Sequence, residues 1–180
     1  MEPTRPWYVL TGGPCAGKTT LIEALGAMGY KTMPEAARAF IEQELAKGRT
    51  IEEIRADKVD FQHRLLPMKL EAQKALLEDE VVFFDRGMHD TIAYLAQIGV
   101  HDDEKTNAAV AQTHYQKVFV LDRLPLEYDG ARTETSEEAD EIDGLLFKVY
   151  EESGIPTMRV PVMPIEDRIA FIFANIDMTK

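Results

Sequence analysis

A segment of eight residues near the start of the chain has the residue types and spacing of a phosphate-binding loop. It reads Gly12-Gly13-Pro14-Cys15-Ala16-Gly17-Lys18-Thr19 and matches G-x-x-x-x-G-K-[ST] without a mismatch. The two motif glycines let the backbone curl, so that successive N–H groups point inward at phosphate oxygens. The lysine reaches the β- and γ-phosphates as a point charge, and the threonine hydroxyl is a ligand for Mg²⁺.

The loop therefore predicts ATP and Mg²⁺ as cofactors. The nucleotide is expected on Gly12, Gly13, Pro14, Cys15, Ala16, Gly17, Lys18, Thr19 and Thr20. Cys15 occupies a variable position of the motif. A nearby helix N-terminus would lower the pKa of its thiol, but we interpret it as a small packing residue rather than a nucleophile.

A carboxylate ends the most apolar run of the chain, Val81-Val82-Phe83-Phe84-Asp85. Four apolar residues in a row, β-branched or aromatic, are typical of a strand that is covered on both faces in a parallel sheet. At the end of such a strand Asp85 can face the phosphate-binding loop and hold Mg²⁺ together with Thr19. The alternative is an ordinary acid that caps the next helix.

The rest of the chain alternates between strand and helix patterns. Strands are predicted at 7–10, 30–33, 81–85, 118–122 and 157–160, and helices at 19–28, 35–47, 50–78, 90–98, 104–116, 135–152 and 165–176. Capping boxes at Thr50 and Thr135 mark two helix starts, and Pro67 is expected to kink or split the helix over 50–78. This order predicts an α/β sandwich with a mainly parallel sheet, whose ligands bind beyond the carboxyl ends of the strands.

Composition limits the classes of partner. The chain of 180 residues carries 32 acidic and 20 basic side chains, a net charge of −12, and one cysteine. That charge argues against a nucleic-acid partner, and the single cysteine argues against internal disulfides. No apolar stretch is long enough to span a membrane, and no targeting segment is seen, so we expect a cytoplasmic protein. The length predicts one domain over residues 1–180.

Several segments together resemble a known group of P-loop proteins. After the phosphate-binding loop come Pro34-Glu35-Ala36-Ala37-Arg38, then Asp85-Arg86-Gly87 with Asp90 and Ala93-Tyr94, then Asp129-Gly130-Ala131-Arg132, and Val160-Pro161. In this order they resemble P-loop nucleoside and nucleotide kinases, and within them the AAA-like ATPase group related to the kinase domain of NadR, a ribosylnicotinamide kinase. The resemblance implies a three-layer sandwich with a five-stranded sheet in the order 2-3-1-4-5, and an ATP-dependent kinase.

A kinase also needs a group that accepts the proton of the acceptor hydroxyl. Glu35 follows the second strand, where similar nucleoside kinases keep a carboxylate, and Asp85 is the competing base. Arg38 lies one turn after Glu35 and either touches the acceptor or pairs with Glu35. Arg86 follows the third strand and can bridge the phosphates or the acceptor. Glu35, Arg38 and Arg86 are therefore the predicted acceptor-binding residues.

The polar segment over residues 123–136 is a candidate lid. Arg123 and Arg132 are its predicted phosphate clamps, because a guanidinium fork binds two oxygens at once. The alternative is a solvated loop with surface arginines. In the lid interpretation, Asp129 could hold Arg132 while the lid is open.

The leading hypothesis is a kinase of a small, possibly nucleoside-like metabolite. Its catalytic residues would be Lys18, Asp85, Glu35, Arg86, Arg132 and Arg123. The alternative is a regulatory ATPase or GTPase, either NTP-hydrolysing or acting as a nucleotide switch, with a protein or lipid partner. The fourth strand ends Leu121-Asp122-Arg123-Leu124 and lacks a guanine motif, which favours ATP. Neither the acceptor nor the oligomeric state follows from the sequence.

Overall fold

The computed structural model describes residues 5–124 and 135–177. Along the chain the elements are β1 (Trp7–Thr11), α1 (Lys18–Ala27), β2 (Lys31–Met33), α2 (Ala36–Ala46), α3 (Ile51–Arg55), α4 (Lys58–Lys74), β3 (Val82–Asp85), α5 (Asp90–Gln97), α6 (Glu104–Val110), β4 (Lys117–Leu121), α7 (Ser136–Glu152), β5 (Thr157–Val160) and α8 (Ile165–Ala174). All four strand pairings are parallel, and the order β2-β3-β1-β4-β5 confirms the prediction.

The sheet has a hydrophobic core on each face. Alternate residues of the central strand β1 divide between the two cores, Trp7 and Val9 into one and Tyr8 and Leu10 into the other. This division follows from the two-residue period of a strand. It explains why β1 reads as a continuous apolar run, and it gives the three layers that the sequence predicts.

Parallel pairing brings the functional strand ends to one edge. Leu10 of β1 lies opposite Asp85 of β3, and the amide of Arg86 donates to the Leu10 carbonyl at 3.0 Å. Because β1 continues into residues 12–17, the end of β3 is fixed beside the phosphate-binding loop.

The prediction of one helix over 50–78 was wrong in its boundaries. The break falls at residues 56–57, where Asp57 accepts a hydrogen bond from the Asp60 amide and caps a new helix, α4. Pro67 lies exposed inside α4, so the helix is not split there, and α4 ends at Lys74. Both capping boxes, at Thr50 and Thr135, are confirmed.

The helix expected over 104–116 is also shorter than predicted. It ends at Val110, whose carbonyl accepts a hydrogen bond from the Thr113 hydroxyl at 2.9 Å. That bond takes the place of a further helical turn. Within the described parts of the chain, no helix combines the length and apolar character needed to cross a membrane.

Candidate functional site: a phosphate-binding loop beside a charged cavity

The phosphate-binding loop joins β1 to α1, as its motif requires. Gly12 has φ 140°, and a Cβ at this position would lie 2.5 Å from the Leu121 carbonyl oxygen. Gly17 has φ 81° and directly precedes α1. Only glycine meets both demands at low cost, since it tolerates positive φ and close approach of a neighbouring backbone. The loop therefore leads directly into the N-terminus of α1, and its Gly13 amide donates to Oδ1 of Asp143 at 3.0 Å.

Lys18 lies buried across this loop. Its Nζ donates to the carbonyls of Gly12 and Gly13, each at 2.8 Å. Burial, with a smaller contribution from the charge of Arg86, lowers the pKa of Lys18. Among the described residues the ammonium group is bonded only to these two neutral carbonyls, and a bound phosphate would favour its charged form.

Asp85 is a buried carboxylate with spare bonding capacity. Within the described chain its Oδ1 is buried and accepts no hydrogen bond. Burial first, and then the charge of Glu35, raises the pKa of Asp85 to about 6. A buried oxygen without a donor is uncommon unless a ligand or water completes it. The Asp85 carboxylate and the Thr19 hydroxyl are oxygen ligands of the kind that Mg²⁺ prefers.

Arg86 organises the other side of the loop. Its φ is 68°, an unusual conformation for a residue with a side chain, and its Nε donates to Oε1 of Glu35 at 2.9 Å. Its Nη1 lies 3.4 Å from Oδ2 of Asp90, and its guanidinium stacks over the Tyr94 ring at 5.2 Å. Arg86 and Glu35 are thus held as a pair at the carboxyl ends of β2 and β3.

Asp90 is a site residue that the sequence marks as part of the family resemblance and as a helix start, but to which it assigns no role in the site. Its buried carboxylate accepts hydrogen bonds from the Thr11 hydroxyl at 2.6 Å, from the Gly87 amide at 3.1 Å and from the Tyr150 hydroxyl. The signal was its position one helical turn after Arg86, but Thr11 and Tyr150 are distant in sequence. Asp90 ties the end of β1 to the segment that carries Asp85 and Arg86.

A cavity of about 360 Å³ opens beside the loop. Pro14 of the loop lines it together with Glu35, Ala36, Ala37, Arg55, Lys58, Phe61, Gln62, Leu65, Lys69, Arg86, Asp90, Tyr94, Gln97 and Ile98. The lining combines charged groups, amides and two aromatic rings, as expected of a small-molecule site. Two of the predicted acceptor residues, Glu35 and Arg86, line it. The third, Arg38, is exposed on α2 and is not part of the lining.

The described part of the candidate lid lies against the loop. Arg123 donates from Nε to the Pro14 carbonyl at 3.3 Å and forms an ion pair with Asp140 of α7. Its side chain is only 11% exposed and packs against the loop, but it is not among the residues that line the cavity. Arg132 and Asp129, the other predicted lid residues, lie outside the described residues.

Arg168 of α8 bonds to the backbone of the loop, a contact that the sequence does not predict. It is buried, and its guanidinium donates to three backbone carbonyls: Ala16, Asp122 at 3.0 Å and Pro161 at 3.1 Å. A carbonyl and the following N–H point in opposite directions across a planar peptide. By holding the Ala16 carbonyl, Arg168 turns the Gly17 amide the other way.

Replacing Arg168 with methionine is expected to destabilise the protein by about 2–4 kcal/mol and to weaken ATP binding. The reason is that three backbone carbonyls, of which that of Ala16 is buried, lose their donor and the Ala16–Gly17 peptide is released. Urea unfolding and nucleotide titration measure the two effects. Arg64→Met is the control, because Arg64 is exposed and pairs only with exposed Asp60; it should change stability by less than about 0.5 kcal/mol. A similar change in both variants would contradict this role of Arg168.

The chain resembles one protein family in sequence and several solved structures in fold. The profile of the AAA domain family matches residues 7–168. No curated protein sequence matches significantly. Among solved structures, thymidylate kinase from Ehrlichia chaffeensis aligns with a TM-score of 0.66 and 14% identity over 96% of this chain and 98% of its own.

Two further structures share the fold. NadR in complex with NR aligns with a TM-score of 0.71 and 18% identity over 97% of this chain, which spans only 52% of the NadR chain. Thymidylate kinase from Candida albicans aligns with a TM-score of 0.59 and 14% identity over 94% of this chain and 89% of its own. These matches confirm the predicted resemblance to P-loop nucleotide kinase-like proteins, including NadR.

Proposed function

This chain belongs to the AAA domain family, and we propose that it is a kinase that transfers the γ-phosphoryl group of ATP to a small metabolite. The observation that carries the proposal is the cavity beside the phosphate-binding loop: Pro14 lines it together with Glu35 and Arg86. A hydrolase or a nucleotide switch transfers phosphate only to water and needs no second substrate site there. The fold shared with NadR, solved with NR, supports a nucleoside-like acceptor.

The nucleotide side of the proposed site is the loop itself. Backbone N–H groups within residues 12–20, where Pro14 has none, hold the phosphates, and Lys18 exchanges its two carbonyl partners for phosphate oxygens. Thr19 and Asp85 would hold Mg²⁺, which neutralises charge on the β- and γ-phosphates when it is bound. Asp85 suits this role because its free Oδ1 lies on the strand beside the loop.

The acceptor side supplies the nucleophile. The hydroxyl oxygen of the acceptor attacks the γ-phosphorus, the bond from that phosphorus to the β,γ-bridging oxygen breaks, and ADP leaves. Glu35 takes the hydroxyl proton, because it lines the cavity while Arg86 fixes one of its oxygens, Oε1. Arg86 and Arg123, with Arg132 of the proposed lid over 123–136, stabilise the charge on the transferred group.

Glu35→Gln is expected to lower kcat for transfer to a hydroxyl acceptor about 100- to 10,000-fold while leaving the KM for ATP nearly unchanged. Glutamine keeps the size of the side chain and an oxygen for the Arg86 bond but cannot accept the proton. Steady-state kinetics with both substrates varied measure the effect. The control is Glu42→Gln, because Glu42 is exposed on α2, the helix that begins directly after Glu35. A wild-type kcat in Glu35→Gln would rule out the base assignment.

Acceptor-stimulated ATP consumption tests the proposal as a whole. The panel contains nucleosides, their 5′-monophosphates and simple sugars, each added singly to the enzyme with Mg²⁺ and ATP. A kinase consumes ATP rapidly with one class of acceptor and slowly alone. Consumption at one rate regardless of acceptor would instead support the hydrolase or switch function.

A further inference from the structure

Lys69 of α4 is a cation at the acceptor cavity that the proposed transfer does not use. Its Nζ donates to the Gly87 carbonyl at 3.1 Å and to the Thr91 hydroxyl at 3.2 Å, both neutral groups. Within residues 5–124 and 135–177 it forms no ion pair with a carboxylate, although it lines the cavity. A partly buried ammonium without a bonded counter-ion is unusual.

The two carboxylates of the cavity are already engaged elsewhere. Asp90 accepts hydrogen bonds from Thr11, Gly87 and Tyr150, and it lies near Arg86. Glu35 accepts the Nε–H of Arg86. In the described ranges neither carboxylate is hydrogen-bonded to Lys69, whose ammonium uses two of its three N–H groups and lines the cavity.

The pKa of Lys69 also indicates that its charged form is disfavoured in the cavity. Burial lowers the pKa of Lys69 to about 8, the charge of Asp90 opposes that effect, and the charge of Arg86 adds to it. The ammonium is thus still the main form at neutral pH, yet it is disfavoured by its surroundings. An anion beside it would remove this penalty and form a charge-assisted hydrogen bond.

The side chains at the opening of the cavity are also positively charged. Arg55 and Lys58 are exposed on α3 and at the start of α4, and both line it. The lining as a whole carries four basic and two acidic side chains, in a chain whose net charge is −12. A local excess of positive charge on an acidic protein favours the entry of an anionic ligand over a neutral one.

We propose that the acceptor carries, besides the hydroxyl that receives the phosphoryl group, an oxyanion, a phosphate monoester or carboxylate, that Lys69 binds with the help of Arg55 and Lys58. The inference rests on the proposed kinase function and narrows its substrate class. It excludes neutral nucleosides as the preferred acceptors. The Lys69 ammonium supplies the contact at the inner part of the cavity, and the two exposed cations raise the local concentration of the anion.

Binding of matched acceptors tests this directly. Each nucleoside of the panel is compared with its 5′-monophosphate and its 5′-carboxylate by calorimetry on the enzyme saturated with a non-hydrolysable ATP analogue. The anionic members should bind at least about 10-fold more tightly than the nucleoside. The better of the two anions identifies the phosphate or the carboxylate as the group recognised. Equal affinity for neutral and anionic members, or no binding of any anionic member, would overturn the inference.

Variants of Lys69 assign the contact. Lys69→Met should raise the Kd of the anionic member about 10- to 100-fold and leave that of the nucleoside unchanged, whereas Lys69→Arg should retain the preference. Lys74→Met is the control on the same helix, because Lys74 is exposed and pairs with Glu71. An anion preference that persists in Lys69→Met, with an unchanged melting temperature, would contradict the assignment. Transfer to neutral nucleosides alone would overturn the inference but not the kinase function, whereas no transfer to any acceptor would overturn the kinase function.

Discussion

Replacing Lys18 with alanine is expected to lower the rate of phosphoryl transfer about 100- to 1,000-fold and to weaken ATP binding. The ammonium of Lys18 is buried within the phosphate-binding loop, and its partners in the described part of the chain are the carbonyls of Gly12 and Gly13. Those bonds are easily exchanged for phosphate oxygens, which carry more charge. Removing the ammonium therefore removes a contact that strengthens as charge develops on the transferred group.

Two measurements together identify this effect. Nucleotide titration gives the ATP affinity, and single-turnover kinetics give the rate of transfer at saturating ATP. Lys74→Ala, on the exposed surface of α4, controls for the general loss of one positive charge. An unchanged ATP affinity in a folded Lys18→Ala protein would show that this loop does not bind the triphosphate.

Asp85→Asn is expected to have opposite effects on activity and stability. Transfer should fall about 100- to 1,000-fold, because the amide is a poor ligand for Mg²⁺ and carries no charge. The folded protein without nucleotide should become more stable at pH 8. The cause is that Asp85 is a buried carboxylate whose Oδ1 accepts no hydrogen bond in the described chain, so its charge is a cost to folding.

The pH dependence follows from the pKa of Asp85, which burial raises from 3.8 to about 6. Between these values the unfolded chain loses the proton while the folded chain keeps it, so the stability of the wild type falls as pH rises through this window. Asparagine has no such loss. The melting temperature of Asp85→Asn should thus equal that of the wild type near pH 4 and exceed it by about 3–8 °C at pH 8.

The control is Asp79→Asn, an exposed carboxylate in the turn before β3. It should change neither activity nor the pH dependence of melting. Adding Mg²⁺ and ATP at pH 8 should raise the melting temperature of the wild type above that of Asp85→Asn, since the nucleotide complex stabilises only the protein that retains the carboxylate. A destabilised Asp85→Asn at pH 8 would mean that the ionised Asp85 is already compensated within the protein, and the metal-site assignment would lose its main support.

The parts of the site that the sequence predicted are those encoded locally. Residues 12–19 form one continuous motif, and Asp85 directly ends an apolar run, so both positions follow from neighbouring residues. The strand order could not be predicted from neighbouring residues in this way. It followed only from the resemblance to P-loop kinases. Composition and periodicity say which segments are strands but not which strands are neighbours.

The residues that were missed act over long distances. Arg168 bonds to Ala16, 152 residues earlier, and Asp90 bonds to Thr11 and Tyr150, 79 and 60 residues away. Nothing in the local sequence of either residue marks these partners. From the sequence alone, an acid at a helix start is explained by its favourable interaction with the helix dipole. An arginine in an amphipathic helix is expected to lie on the surface. Only the packed sheet reveals that both side chains support the phosphate-binding loop.

The predicted boundaries of the helix over residues 50–78 were wrong for a related reason. Apolar spacing over residues 50–78 suits one helix, but a single cap, Asp57, starts a second one, α4. This second start matters for the site because α4 carries Lys58, Phe61 and Lys69 into the acceptor cavity. A local capping bond thus decides the direction of a helix that the hydrophobic pattern alone leaves unbroken.

The fate of the γ-phosphate tests the central claim most directly. Enzyme in excess over ATP labelled at the γ-phosphate is mixed with Mg²⁺ and a pool of nucleosides and their monophosphates, and the labelled products are separated over time. The kinase function predicts that the label appears in an organic phosphate, at least about 100-fold faster than inorganic phosphate appears without the pool. Label found only in inorganic phosphate, at the same rate with and without the pool, would contradict it.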